Sequence, residues 1–133
     1  MATNLVMCDT NIFIHWFNGD ERTIRQLRKI GLENVALSVI TAMELIQGAD
    51  NKQQLHRLRK NLNNYSIVNF STEVSELSLI FVENYKLSHH LQIPDAIIAA
   101  SAVHYQIPLF TYNTKDFKYI PNIQLYDYSE SAE

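Results

Sequence analysis

Leu5-Val6-Met7-Cys8-Asp9-Thr10-Asn11 sets an apolar run directly against a carboxylate and two further polar residues. Such a run, ended by a charge, suits a short buried strand. Asp, Thr and Asn all cap helices well, yet one helix start needs only one of them. The stretch therefore predicts a strand over residues 5–9, a short helix over 11–17, and a carboxylate at the seam with a task beyond capping.

The alternation continues outward from there. Asn18-Gly19-Asp20 breaks the first helix and caps a second over residues 21–30. In that helix Ile24, Leu27 and Ile30 share one face, and Gly31 stops it. Residues 35–38 form the next expected strand. A helix from about 41 to 47 follows, ending at Gly48, then a polar, basic helix over 53–62 and a strand over 66–70. Ser71 or Thr72 caps a long helix with Val74, Leu77, Phe81 and Tyr85 on its apolar stripe. Pro94 opens an Ala- and Ile-rich helix running to about 105. Residues 108–112 form a strand, and 123–126 an expected edge strand. Strands alternating with helices predict an α/β fold: an open, mostly parallel sheet with helices on both faces. With 133 residues, three Gly and three Pro, the chain is expected to form one domain over residues 1–133 without a linker.

In such sheets sites lie at the carboxyl ends of the strands, and four acids fall near such ends. Asp9 ends the first strand. Glu44, in Thr41-Ala42-Met43-Glu44, also fits a capping box with Thr41. Asp95 follows Pro94, where an acid favours a helix start. The helix beyond it is apolar on nearly every side, so its charge needs a partner, either a metal or a basic group. Asp116, in Thr111-Tyr112-Asn113-Thr114-Lys115-Asp116, also fits a surface turn closed by Asn113. A fold that gathers carboxylates usually holds a cation, and oxygen-only donors favour Mg²⁺ or Mn²⁺. His15, His56, His89, His90 and His104 form no zinc-type pair. A cation-activated water suits phosphodiester hydrolysis without a protein nucleophile.

Net charge is −3, but eight of the 11 Lys and Arg residues lie within residues 22–60. Against four acids, the segment 21–60 is net +4. Such a segment is either a set of ordinary solvated helix faces or a shallow rim that tracks phosphates. Arg22, Arg25, Lys29, Arg57 and Lys60 are the candidate nucleic-acid phosphate contacts. The tail is acidic through Asp127, Glu130 and Glu133. One cysteine, Cys8, allows no intrachain disulfide and fits a reducing compartment. No basic segment precedes the first apolar run and no stretch reaches the ~18 apolar residues of a membrane helix, so a cytoplasmic location is expected.

Four segments in order resemble the PIN-domain family, most closely VapC-type toxins of toxin–antitoxin pairs. They are residues 5–12 around Asp9, residues 38–48 around Glu44, residues 94–100 after Pro94, and residues 111–117 ending in Asp116-Phe117. The resemblance covers nearly the whole chain. It implies a three-layer α/β/α fold and a Mg²⁺- or Mn²⁺-dependent endoribonuclease. It implies Asp9, Glu44, Asp95 and Asp116 as catalytic residues, with Asp9, Asp95 and Asp116 as metal ligands. Thr111 and Asn113 are polar positions that can also approach the metal or its waters; which of these and Asp116 completes the set stays open. It further implies a homodimer and a small antitoxin that blocks the acidic pocket, often with an arginine. Two other possibilities remain: an RNA-processing nuclease of the same family without an antitoxin, and a non-catalytic binding module presenting Phe13, Trp16 and Phe17.

Overall fold

The computed structural model describes residues 4–130. The expectations that involve Met1, Ala2, Thr3 and Glu133 lie outside the described residues. Strands β1 (Val6–Cys8), β2 (Val35–Ser38), β3 (Ser66–Val68) and β4 (Leu109–Phe110) form one sheet in the order β3-β2-β1-β4. Every pairing between them is parallel, with Val6 opposite Val35, Met7 opposite Leu109 and Ala36 opposite Ser66. The connections carry six helices: α1 (Thr10–Phe17), α2 (Glu21–Ile30), α3 (Val39–Gln47), α4 (Lys52–Leu62), α5 (Thr72–His89) and α6 (Ile93–Tyr105).

Side-chain alternation along the strands divides the core into two halves. Met7 and Leu109 point to a cluster completed by Val74 and Phe81 of α5 and by Ile98, Ala99 and Ala102 of α6. Val6, Cys8, Val35, Leu37 and Phe110 point the other way, to Ile12 and Phe13 of α1, Leu27 of α2 and Leu62 of α4. The result is the three-layer α/β/α arrangement, with the sheet buried on both faces. Each large side chain buried this way contributes about 1.5–3 kcal/mol. Burial pushes the Cys8 thiol far up, with the neighbouring Asp9 charge adding to it, so Cys8 is an inert packing residue.

Local chemistry sets most boundaries. The Asp20 carboxylate accepts from the Thr23 amide at 3.0 Å to start α2, and Gly31, at φ +91°, ends it. Ser71 starts α5 by accepting from the Val74 amide. Three expectations need correction. Helix α3 begins two residues before Thr41, because the Ser38 hydroxyl caps it by accepting from the Ile40 amide at 3.2 Å. Thr41 is therefore inside the helix and cannot form a capping box with Glu44. Helix α6 opens at Ile93, one residue before Pro94. The expected edge strand over 123–126 reduces to one parallel bridge, Leu125 to Leu109. Strand β4 is only two residues long, so it offers the passing chain one register position. No helix among the described residues is long and apolar enough to cross a membrane.

Candidate active site

Asp9 sits where β1 becomes α1, at the carboxyl edge of the sheet. Its amide still donates to Phe110 of β4 at 3.0 Å. One carboxylate oxygen accepts from the Thr10 amide at 2.7 Å, the other from the Thr111 hydroxyl at 2.9 Å. Capping thus explains only one of its oxygens. The second is fixed by a residue 102 positions away, itself held by the Asn113 amide at 3.0 Å. Asp9 is 4% exposed. Burial raises its pKa, the two hydrogen bonds oppose that rise, and the charges of Glu44 and Asp116 add to it.

Glu44 is one helical turn into α3. Its Oε1 accepts from the Thr10 hydroxyl at 2.8 Å, and that hydroxyl lies 3.1 Å from the buried Thr41 hydroxyl. Thr10 therefore serves two acids at once, Asp9 through its backbone and Glu44 through its side chain. Asp95 projects from the first turn of α6. Burial first, then the charges of Asp9, Asp116 and Glu44, push its carboxyl up to about 6. No basic group offsets this: among the described residues the one ion pair is Arg25–Glu130, elsewhere on the surface. Asp116 ends a 3₁₀ turn, Thr114–Asp116, and is exposed. Asn113 precedes that turn without capping it through its side chain, and is also exposed.

Asp9 and Asp95 thus each feel the charges of Glu44 and Asp116 across one edge of the sheet, the four acids coming from four separate segments. Among the described residues, no group of three His, Cys, Asp or Glu side chains is gathered to hold an ion alone. Of the two polar candidates beside Asp116, Thr111 reaches Asp9 through its hydroxyl, whereas Asn113 contributes its backbone.

A groove of about 710 Å³ leads away from the acids between α1, α3 and α4. Thr10 and Glu44 line one part of it, Ile14, Phe17 and Leu58 its walls, and Arg57 faces it. The other basic candidates are placed differently. Arg25 pairs with Glu130 at 3.1 Å, and the Arg22 guanidinium lies over the rings of Tyr112 and Tyr128. Lys29 and Lys60 are exposed on α2 and α4, and Lys60 is not among the groove residues. Of the aromatic trio, Phe13 is in the core, Trp16 packs against Tyr65 with centroids 5.5 Å apart, and only Phe17 faces the groove. Sequence reasoning treated Thr10 and Thr41 only as capping residues and gave Tyr112 and Tyr128 no role. A hydroxyl residue beside each strand-end site was the available signal for the threonines; nothing local marks Tyr128.

The PIN domain family model matches residues 6–123. A chain of a toxin–antitoxin complex from Klebsiella pneumoniae is 36% identical, with a TM-score of 0.78, covering 95% of this chain and 99% of that one. Ribonuclease VapC1 of Methanocaldococcus jannaschii is 29% identical over 125 residues, 92% of this chain and 87% of the relative. Ribonuclease VapC of Rickettsia bellii is 34% identical over 62 residues, and that match spans about half of each protein, 46% in both cases.

Proposed function

Because the chain belongs to the PIN-domain family, we propose that it is a divalent-metal-dependent endoribonuclease whose active site is Asp9, Glu44, Asp95 and Asp116. The observation that carries this is the acidic edge itself: four carboxylates from four segments, Asp95 pushed up to about 6 by burial and then by the charges of the other three, and, among the described residues, no basic side chain in an ion pair with them. A fold that accepts that repulsion has a use for it.

The donor set fits Mg²⁺ or Mn²⁺. All donors are oxygen, and Mg²⁺ needs only one or two carboxylates, completing its shell with water and substrate phosphate. One or two of Asp9, Asp95 and Asp116 would touch the cation directly, and the remainder would hold its waters. When bound, it supplies Lewis acidity, acidifying a water and neutralising phosphate charge. The chain supplies the rest. Thr111 and the Thr10 amide fix both oxygens of Asp9. The Thr10 hydroxyl aims Glu44, which stands at the groove and accepts the proton of the attacking water. Arg57, on the same groove, attracts the RNA backbone.

The similarity to a chain of a toxin–antitoxin complex supports a toxin working against an antitoxin; a cytoplasmic location and a single nuclease domain over residues 1–133 are part of the same proposal. The apolar walls of the groove, Ile14 and Phe17, suit a partner segment that ends at Glu44 with a basic side chain. Exposed Phe70, Leu79 and Ile93, around a smaller apolar groove between α5 and α6, support pairing with a second copy. The deciding experiment compares wild type with Asp95→Asn for cleavage of RNA in Mg²⁺ and in EDTA. Cleavage by the wild type in Mg²⁺ alone is expected. Cleavage that persists in EDTA, or that survives in the variant, would refute the proposal.

A further inference from the structure

Helix α2 carries Arg22, Arg25, Arg28 and Lys29 on its exposed side, but these groups are not equivalent. Arg25 is engaged by Glu130 through two hydrogen bonds of 3.1 and 3.3 Å. Arg22 is held by rings: its guanidinium carbon lies 5.1 Å from the Tyr112 centroid and 4.7 Å from that of Tyr128. Those two rings meet edge to face at 5.0 Å. Tyr112 is anchored in turn by its hydroxyl, 2.7 Å from Thr23 Oγ1, and by an edge contact with His15.

Stacking fixes the plane of a guanidinium while leaving its N–H edge free to donate. Among the described residues no carboxylate forms an ion pair with Arg22. Asp20 and Glu130 lie near enough to feel the Arg22 charge, but neither forms an ion pair with it, so its N–H edge suits a phosphate oxyanion. Its place relative to the acids is defined by the chain: Tyr112 follows Thr111, and Thr111 donates to Asp9.

We infer that Arg22, clamped between Tyr112 and Tyr128, binds a phosphate of single-stranded RNA that flanks the bond to be cut. This rests on the ribonuclease function proposed above. The competing explanation is that the clamp only fastens residues 126–130 onto α2, a task shared by Tyr126, whose hydroxyl donates to Gln26 at 2.9 Å.

The test is binding of a fluorescent single-stranded RNA oligonucleotide in EDTA, which separates binding from cleavage, across a series of NaCl concentrations. Arg22→Gln should weaken binding roughly tenfold at low salt and reduce the slope of log K against log salt by about 0.7, the share of one single-strand phosphate. Arg22→Lys should keep the slope yet lose part of the affinity, since it retains charge without the planar edge. Arg28→Gln, one charge removed from the same helix, controls for diffuse attraction. An Arg22→Gln protein with unchanged affinity and slope but a lowered thermal midpoint would show a fastening role only and overturn the inference. Equal losses for Arg22→Gln and Arg28→Gln would also overturn it. A wild type that binds no RNA would remove the ribonuclease proposal together with this one, whereas wild-type binding with an inert Arg22 would remove this one alone.

Discussion

Replacing Asp95 by Asn should stabilise the metal-free protein while it abolishes cleavage. The Asp95 carboxyl is pushed from the usual 3.8 to about 6, first by burial and then by three neighbouring acids. A folded-state pKa above the unfolded value means the folded chain binds more protons between those limits. Stability therefore falls as pH rises from about 4 to about 6, and stays lower above that. The full rise corresponds to a ceiling of about 3 kcal/mol. Asp95 is only partly buried, so solvent screening reduces this to about 1–1.5 kcal/mol. For a chain of this size, that is about 3–8 °C in thermal midpoint. Thermal unfolding followed by circular dichroism, in EDTA, gives the readout. Asp95→Asn should melt above wild type at pH 7.5, and most of the gap should be gone at pH 4.5. If the acidic site holds the cation as proposed, added Mg²⁺ should raise the wild-type midpoint more than that of the variant. A variant that melts at or below wild type at pH 7.5, or a gap that ignores pH, would refute the reasoning.

Three further outcomes follow from the hydrogen bonds. Thr10→Val removes the hydroxyl that holds Glu44, and should cut kcat about tenfold or more with a smaller change in KM; Thr10→Ser should restore most of it, which steady-state kinetics would reveal. Thr111→Val leaves Asp9 Oδ2 buried without its donor and should destabilise by about 1–3 kcal/mol in urea melts; no loss there would mean Asp9 finds another partner. Ser38→Ala should cost about 1 kcal/mol as the true cap of α3, and a neutral result would return the helix start to Thr41.

The layered fold was legible because its signals are local. The run ending at Asp9, the stripe of Ile24, Leu27 and Ile30, and the stop at Gly31 each act within a few residues, and α2 and β2 begin and end where expected. The misplaced start of α3 has a physical cause. Ser38 and Thr41 both cap well, and burial chose between them: Thr41 is wholly enclosed at the interface with α1, where it meets Thr10. The acids were legible as a set, since strand ends and helix starts in a parallel sheet converge on one edge. Their supports were not. Thr111 reaches Asp9, and Tyr128 reaches Arg22, across more than a hundred residues, and nothing within either segment encodes the pairing. The basic segment was visible as charge, but its division into a paired Arg25, a clamped Arg22 and a groove-facing Arg57 depends on tertiary neighbours alone.

The way the acids are held bears on what can neutralise them. Asp9 and Glu44 are fixed by an amide and by threonine hydroxyls, all neutral donors. An arginine in their place would orient a carboxylate equally well, but it would cancel the charge and so occupy the position a cation needs. Neutral donors fix geometry and leave the field intact, which is why Asp95 still feels three other acids. The edge therefore favours any cation that can reach it, whether a divalent metal or a guanidinium carried by a partner. The two should exclude each other. An arginine-bearing peptide lying in the groove beside Glu44 should lose affinity as Mg²⁺ is raised, more steeply than the same amount of ionic strength from NaCl would explain. Calorimetric titration of the peptide at matched ionic strength makes that comparison. A loss no greater in Mg²⁺ than in NaCl would mean that the groove and the acidic edge are independent sites.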